Sequence, residues 1–169
     1  PFYASFRSGS FDFTLIDIHV IFGDGVSDRR AENLLLDDAY RAVQNADPNE
    51  HDVILLGDFN LPPTDSGMAE ADVLLDPVFT GDRWTTISDA SLYDNLWWES
   101  DFVTEWTGAS GIDRFDEAVF SNDDDAASLA VSDHRPIWVT FSTGQPDDDG
   151  QDVSTAVSPS SWGATKLAR

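Results

Sequence analysis

The chain has 169 residues, 41% of them hydrophobic and six of them tryptophan, and it carries 32 acidic against 9 basic residues for a net charge of −23. That length and apolar content suit one domain with a sizeable core and exclude a disordered acidic chain. The absence of cysteine excludes disulfides and thiolate metal sites, and no apolar run approaches the roughly 20 residues a membrane-crossing helix needs.

In chain order, "PFYASFRSGSFDFTLIDIHVIFG" (1–23) predicts two strands around a Ser8-Gly9-Ser10 turn, because Phe11, Phe13 and Leu15 alternate with polar residues. Gly23-Asp24-Gly25 breaks the second strand. Ser27 is then placed to cap a helix whose apolar face is Ala31, Leu34, Leu35, Ala39, Ala42 and Val43, ending near Asn45 before Asp47-Pro48. Residues 53–56 have no polar alternation, which predicts a strand buried on both faces. A short helix is expected from about Ser66 to Leu75. "WTTI" (84–87), "LYDNLWW" (92–98) and "HRPIWVTF" (134–141) read as later strands.

The strand–helix–strand order predicts a layered α/β or α+β sandwich around a central mixed β-sheet. Residues 1–142 are expected to form the domain. Residues 143–169, rich in Ser, Asp, Gly and Pro, are expected to be a disordered tail or linker. The chain opens at Pro1 inside a predicted strand, so it is expected to be a fragment, and export is left open.

Its 26 aspartates are spread from Asp12 to Asp152. Such scatter fits a solvated surface better than a single cation site. At molar salt the Debye length is about 3 Å, which screens the self-repulsion, so a high-salt environment is expected.

The sequence has only three histidines. His51 lies in a polar loop and reads as solvated. His19 closes the strand "TLIDIH", and His134 follows Ser132-Asp133 at the entry to the last strand. Each alone fits an ordinary structural role. As an ordered series, however, the strand ending in His19, "GDFN" (57–60), "YDN" (93–95) and "SDH" (132–134) resemble the endonuclease/exonuclease/phosphatase superfamily, the deoxyribonuclease I-like fold. The likeness spans about residues 1–142 and corresponds to the later part of the family domain. The family's first portion, with an Asn on its first strand and a metal-binding Glu, has no counterpart here.

The resemblance implies a divalent-metal-dependent phosphodiester hydrolase, most simply a DNA endonuclease or exonuclease acting as a monomer. Phosphatases and sphingomyelinase-type enzymes share the same motifs, and a non-catalytic remnant is the alternative of another class. The implied cofactor is Mg²⁺, with Mn²⁺ or Ca²⁺ as substitutes; hard cations of this kind prefer oxygen ligands. By resemblance, Asp58 orients or activates the attacking water, Asn60 holds it or a phosphate oxygen, and His134, oriented by Asp94, serves as acid or base or as the imidazole that polarises the phosphate. Asp58, Asn60 and Asp133 are the implied metal ligands, and His19 donates to a phosphate oxygen. Asp17 is a surface carboxylate in this reading.

Phe59, between two site residues, should point into the core. Arg135, and less so Arg114, is the expected phosphate contact. "SNDDDAAS" (121–128) reads as a solvated loop, since it lacks the glycine and terminal glutamate of a calcium-binding loop. Trp97 and Trp98 are expected to serve the core, with base stacking as the alternative.

Overall fold

The computed structural model describes residues 1–146 together with Ser160–Ser161. Strands β1 (Phe2–Ser8) and β2 (Phe11–His19) form an antiparallel hairpin turned at Gly9, whose φ of 66° suits glycine. The chain then crosses through two helices to β3 (Val53–Asp58), which pairs parallel to β2. After a short 3₁₀ turn and α3 (Ala69–Leu74), β4 (Asp76–Pro77) and β5 (Asp94–Trp98) complete that side. β6 (Trp106–Ile112) and β7 (Ile137–Phe141) make a separate antiparallel pair, with α4 (Phe115–Phe120) and α5 (Asp124–Ala130) between them. With the two-residue β8 (Ser160–Ser161), the large sheet runs β4-β5-β3-β2-β1-β8.

Two cores flank that sheet. Val53 and Leu55 of β3 join Ile16, Ile18, Leu36, Tyr40, Val43 and Trp97 under the helices. Ile54 joins Leu96 and Trp98 on the opposite face, where Ile112, Ile137, Val139 and Phe141 of the β6–β7 pair cover it, and Leu56 packs there too. β3 is therefore apolar from Val53 to Leu56 because both faces of that stretch are covered. The same alternation sends Trp97 and Trp98 into different cores at 1% and 2% exposure, so neither is available to stack a base.

The crossover differs from the single helix its sequence predicts. It is broken into α1 (Val26–Asn33) and α2 (Leu36–Gln44), and α1 begins behind Gly25 without a side-chain cap from Ser27. Leu34 and Leu35, assigned to a continuous apolar face, are 39% and 48% exposed at the break. The break lets α2 bury Leu36, Tyr40 and Val43, while α1 buries the polar Arg29 and Asn33 instead. Asn33 donates from Nδ2 to the Phe59 carbonyl at 2.9 Å, so α1 braces the turn that follows β3.

Two more expectations are corrected by local chemistry. "SNDDDAAS" opens α5, because the Asp123 carboxylate accepts from the Ala126 N–H and caps it. "WTTI" contributes a single bridge, Thr86 to His134, in place of a full strand. Beyond residue 142, the Ser10 N–H donates to the Thr143 carbonyl at 3.0 Å. Most of the 143–169 segment read as a tail lies outside the described residues.

Candidate active site

Strand register builds the site. In the parallel pair β2–β3, His19 is opposite Asp58; in the antiparallel pair β3–β5, Asp58 is opposite Asp94. Three adjacent strands thus deliver three polar residues in one row at the same edge of the sheet. The fourth member arrives from the β7 entry: His134 Nδ1 lies 2.8 Å from Asp94 Oδ2. His19 Nε2 lies 3.5 Å from Asp58 Oδ2 and is largely exposed, whereas Asp58, Asp94 and His134 are each mostly covered.

The "GDFN" turn is shaped by its own residues. Gly57 has a φ of 137°, and a Cβ there would stand 2.0 Å from the Ile18 carbonyl oxygen. The backbone of β3 must approach β2 this closely for Asp58 to align with His19. Gly57→Ala is accordingly expected to lower stability by about 2 kcal/mol or more, as a strained and overpacked substitution does; a urea titration that leaves the midpoint unchanged would contradict this. Asn60 occupies the left-handed region at φ 51°, a conformation asparagine tolerates better than most residues. Its N–H donates to Asp58 Oδ1 at 2.8 Å, and its side-chain Nδ2 donates to the Val20 carbonyl at 2.8 Å. Phe59 points the other way into the helix-side core, against Trp97.

Burial pushes the Asp58 carboxyl above the usual aspartate value; the Asn60 N–H opposes this, and neighbouring Asp94 adds to it. His134 is shifted upward in turn, first by its hydrogen bond to Asp94, against the effect of burial, and further by the charges of Asp94, Asp58 and Asp133. Two carboxylates facing each other beside one imidazole make a strongly negative mouth. Asp58, Asp94 and His134 each offer a ligand atom, all within 4.8 Å of one another. The oxygen-rich donor set fits a hard divalent cation, which would relieve the repulsion between the carboxylates.

Of the other assigned residues, Asn60 adjoins Asp58, and the rest lie outside the converging ligand atoms. Asp133 is exposed beside His134 and outside the group of converging ligand atoms. Asn60 commits its amide nitrogen to Val20. Arg135, the expected phosphate contact, has a side chain only 1% exposed that forms an ion pair with the equally buried Asp116, the arrangement of a buried staple. Its guanidinium also holds the carbonyls of Thr86 and Ile87, both at 3.1 Å, and pairs with Asp89. Arg114 is tied to Asp89 and Glu117. Asp17 is exposed, and His51 stacks on Phe102 at the far end of β3.

Sequence reasoning missed Thr85. This fully buried residue accepts from the Tyr93 and Asp94 N–H groups through Oγ1, at 3.0 and 3.1 Å. Its carbonyl accepts from the Arg135 N–H at 2.6 Å, so one residue fixes Asp94 and the His134 segment together. Nothing in "WTTI" distinguishes it from an ordinary strand threonine.

A central mixed sheet with helices on one face, a second sheet on the other and this row of residues at its edge define the deoxyribonuclease I-like endonuclease/exonuclease/phosphatase fold. Across 155 aligned residues the chain is 36% identical to a protein named Deoxyribonuclease from Thioalkalivibrio sp. (strain K90mix). The alignment takes in 83% of this chain and 42% of that protein, so the chain spans less than half of its relative's length. The endonuclease domain of TRAS1, a telomere-specific non-LTR retrotransposon, is similar in structure with a TM-score of 0.55 at 15% identity, over 83% of this chain and 61% of the other. No protein-family profile matches the chain. Among the described residues, no helix is long and apolar enough to cross a membrane.

Proposed function

We propose that the chain carries the catalytic mouth of a divalent-metal-dependent phosphodiesterase that cleaves DNA. The observation that carries this reading is the cross-strand row His19–Asp58–Asp94, closed by His134. The names of the sequence relative and the structural neighbour point to the same substrate.

Asp58 has Oδ1 committed to the Asn60 N–H, which leaves Oδ2 on the side of His19 to orient a water and accept its proton. Asp94 holds His134 through Nδ1, so Nε2 is the nitrogen left to meet the phosphodiester and to protonate the departing oxygen. His19 is exposed and free to donate to a nonbridging oxygen. The carboxylates of Asp58 and Asp94 would hold the cation, with Asp133 adding to the negative field around it. When bound, Mg²⁺ or Mn²⁺ supplies charge compensation for the phosphate and acidifies water. Nicking of plasmid DNA is expected with Mg²⁺ and none with chelator. Hydrolysis of a phospholipid but not of plasmid would move the assignment to the phosphatase branch.

The −23 surface would repel DNA at low salt, since nucleic-acid affinity comes largely from cationic contacts. Screening at about 2 M salt removes most of that repulsion, so the assay belongs there. The same screening should raise the melting temperature as salt increases. A melt measured by far-ultraviolet dichroism that is independent of salt would count against adaptation to high salt.

A further inference from the structure

Beside the mouth lies a groove of about 480 Å³ walled by Pro62, Pro63, Trp84, Leu92 and Tyr93, with Asp82 and Ser91 among its polar lining. It is continuous with the site through the chain itself. Tyr93 immediately precedes Asp94, its carbonyl accepts from the Phe59 N–H at 2.9 Å, and Pro62 lies two residues after Asn60. No lysine or arginine lines the groove, so a bare phosphate finds no counter-charge inside it.

Two arginines, Arg29 and Arg83, adjoin its lining residues. Arg30, Arg41, Arg114 and Arg135 are all paired to carboxylates. Arg29 and Arg83 have no carboxylate partner among the described residues, although acids outnumber bases 32 to 9. Arg29 reaches the Tyr93 hydroxyl at 3.5 Å from Nη1. Arg83 is exposed, is flanked in the chain by Asp82 and Trp84, and lies over the Phe79 ring at 5.6 Å.

We propose that this groove receives an unpaired nucleobase of the strand whose phosphodiester lies in the mouth, stacked against Trp84 and Tyr93, with Arg83 on an adjoining phosphate. A nucleobase is neutral and flat, which suits aromatic and prolyl walls next to an acidic rim. Stacking tolerates any base and gains affinity where backbone charge cannot. A base inside a duplex cannot enter unless it leaves the stack, so single-stranded or locally opened DNA is the favoured substrate. The choice of occupant rests on the nuclease reading.

Fluorescence anisotropy in chelator tests the groove without cleavage, using the protein with a labelled short oligothymidylate, an abasic oligomer of the same length, and a duplex. The oligothymidylate should bind about tenfold more tightly than the abasic strand, and the duplex no better than the abasic strand. Trp84→Ala should erase the difference while Trp84→Phe keeps most of it, and the wild-type comparison stands even if the alanine variant folds poorly. Equal affinity of the wild type for the two single strands, or a difference that survives Trp84→Ala in a folded protein, overturns the proposal. Base-dependent binding without Mg²⁺-dependent cleavage would instead overturn the nuclease reading and leave the stacking groove in place.

Discussion

Replacing His134 with alanine is expected to reduce Mg²⁺-dependent nicking by about a hundred- to ten-thousand-fold, the range that a positioned acid–base group contributes. The variant should stay folded, because the ring is partly exposed and its one side-chain partner, Asp94, keeps the Thr85 hydrogen bond to its own N–H. Asp94→Asn should produce a related loss, since an amide cannot stabilise the imidazolium or enforce Nδ1–H in the same way. The pH profile gives a second readout. His134 titrates above its ordinary value of 6.5 because Asp94 holds its proton. Activity that needs the imidazolium is therefore full below that value and declines only as pH rises through the elevated pKa. In Asp94→Asn the decline should move to lower pH. Nicking undiminished in His134→Ala would remove the role given to this residue.

Arg135→Ala is expected to cost about 3–5 kcal/mol of folding stability, the penalty for breaking a buried ion pair and stranding its partner. The stranded group is Asp116, 1% exposed, which takes hydrogen bonds from Arg135 Nε at 2.8 Å and from one terminal nitrogen. Lysine would not substitute well, because a planar fork is needed to reach Asp116, Asp89 and two carbonyls at once. Replacing both partners with apolar residues of similar size should recover most of the loss. Urea denaturation of the two single variants and the pair measures this directly. A folded Arg135→Ala with unchanged midpoint but raised KM would restore the phosphate-contact reading.

The pair also fixes a pH dependence. Arg135 holds the Asp116 carboxyl below the ordinary 3.8, so the folded state binds that proton less readily than the unfolded chain. The stabilisation is complete above that value and is lost as pH falls through the depressed folded pKa. Asp65, held down by Arg30, and Asp89, held down chiefly by Arg114, act in the same direction. Acid unfolding should therefore set in below the ordinary aspartate range, and later in the wild type than in Arg135→Ala.

Much of the site was legible in the chain, because a polar residue at the end of an apolar strand is a local signal. "TLIDIH" and "GDFN" end two strands in His19 and Asp58, and the unbroken apolar run of residues 53–56 already specified burial on both faces. The placing of Phe59 in the core followed from alternation alone. The short helix near 66–75 was also readable, and Asp65 caps its first turn.

The rest depended on contacts between distant segments. No local pattern states that Asp58 is level with both His19 and Asp94, since register across β2, β3 and β5 is set by how two cores pack on opposite faces. Whether Arg135, next to His134, faces solvent or a buried aspartate is decided by a helix and a loop up to 51 residues away. The break between α1 and α2 likewise answers to the Asn33–Phe59 contact and the seating of Tyr40, not to helix propensity. Sequence determined which groups exist and at which strand ends they stand. The tertiary structure decided which of them meet, because hydrogen bonds and ion pairs act over a few ångströms whatever the separation along the chain.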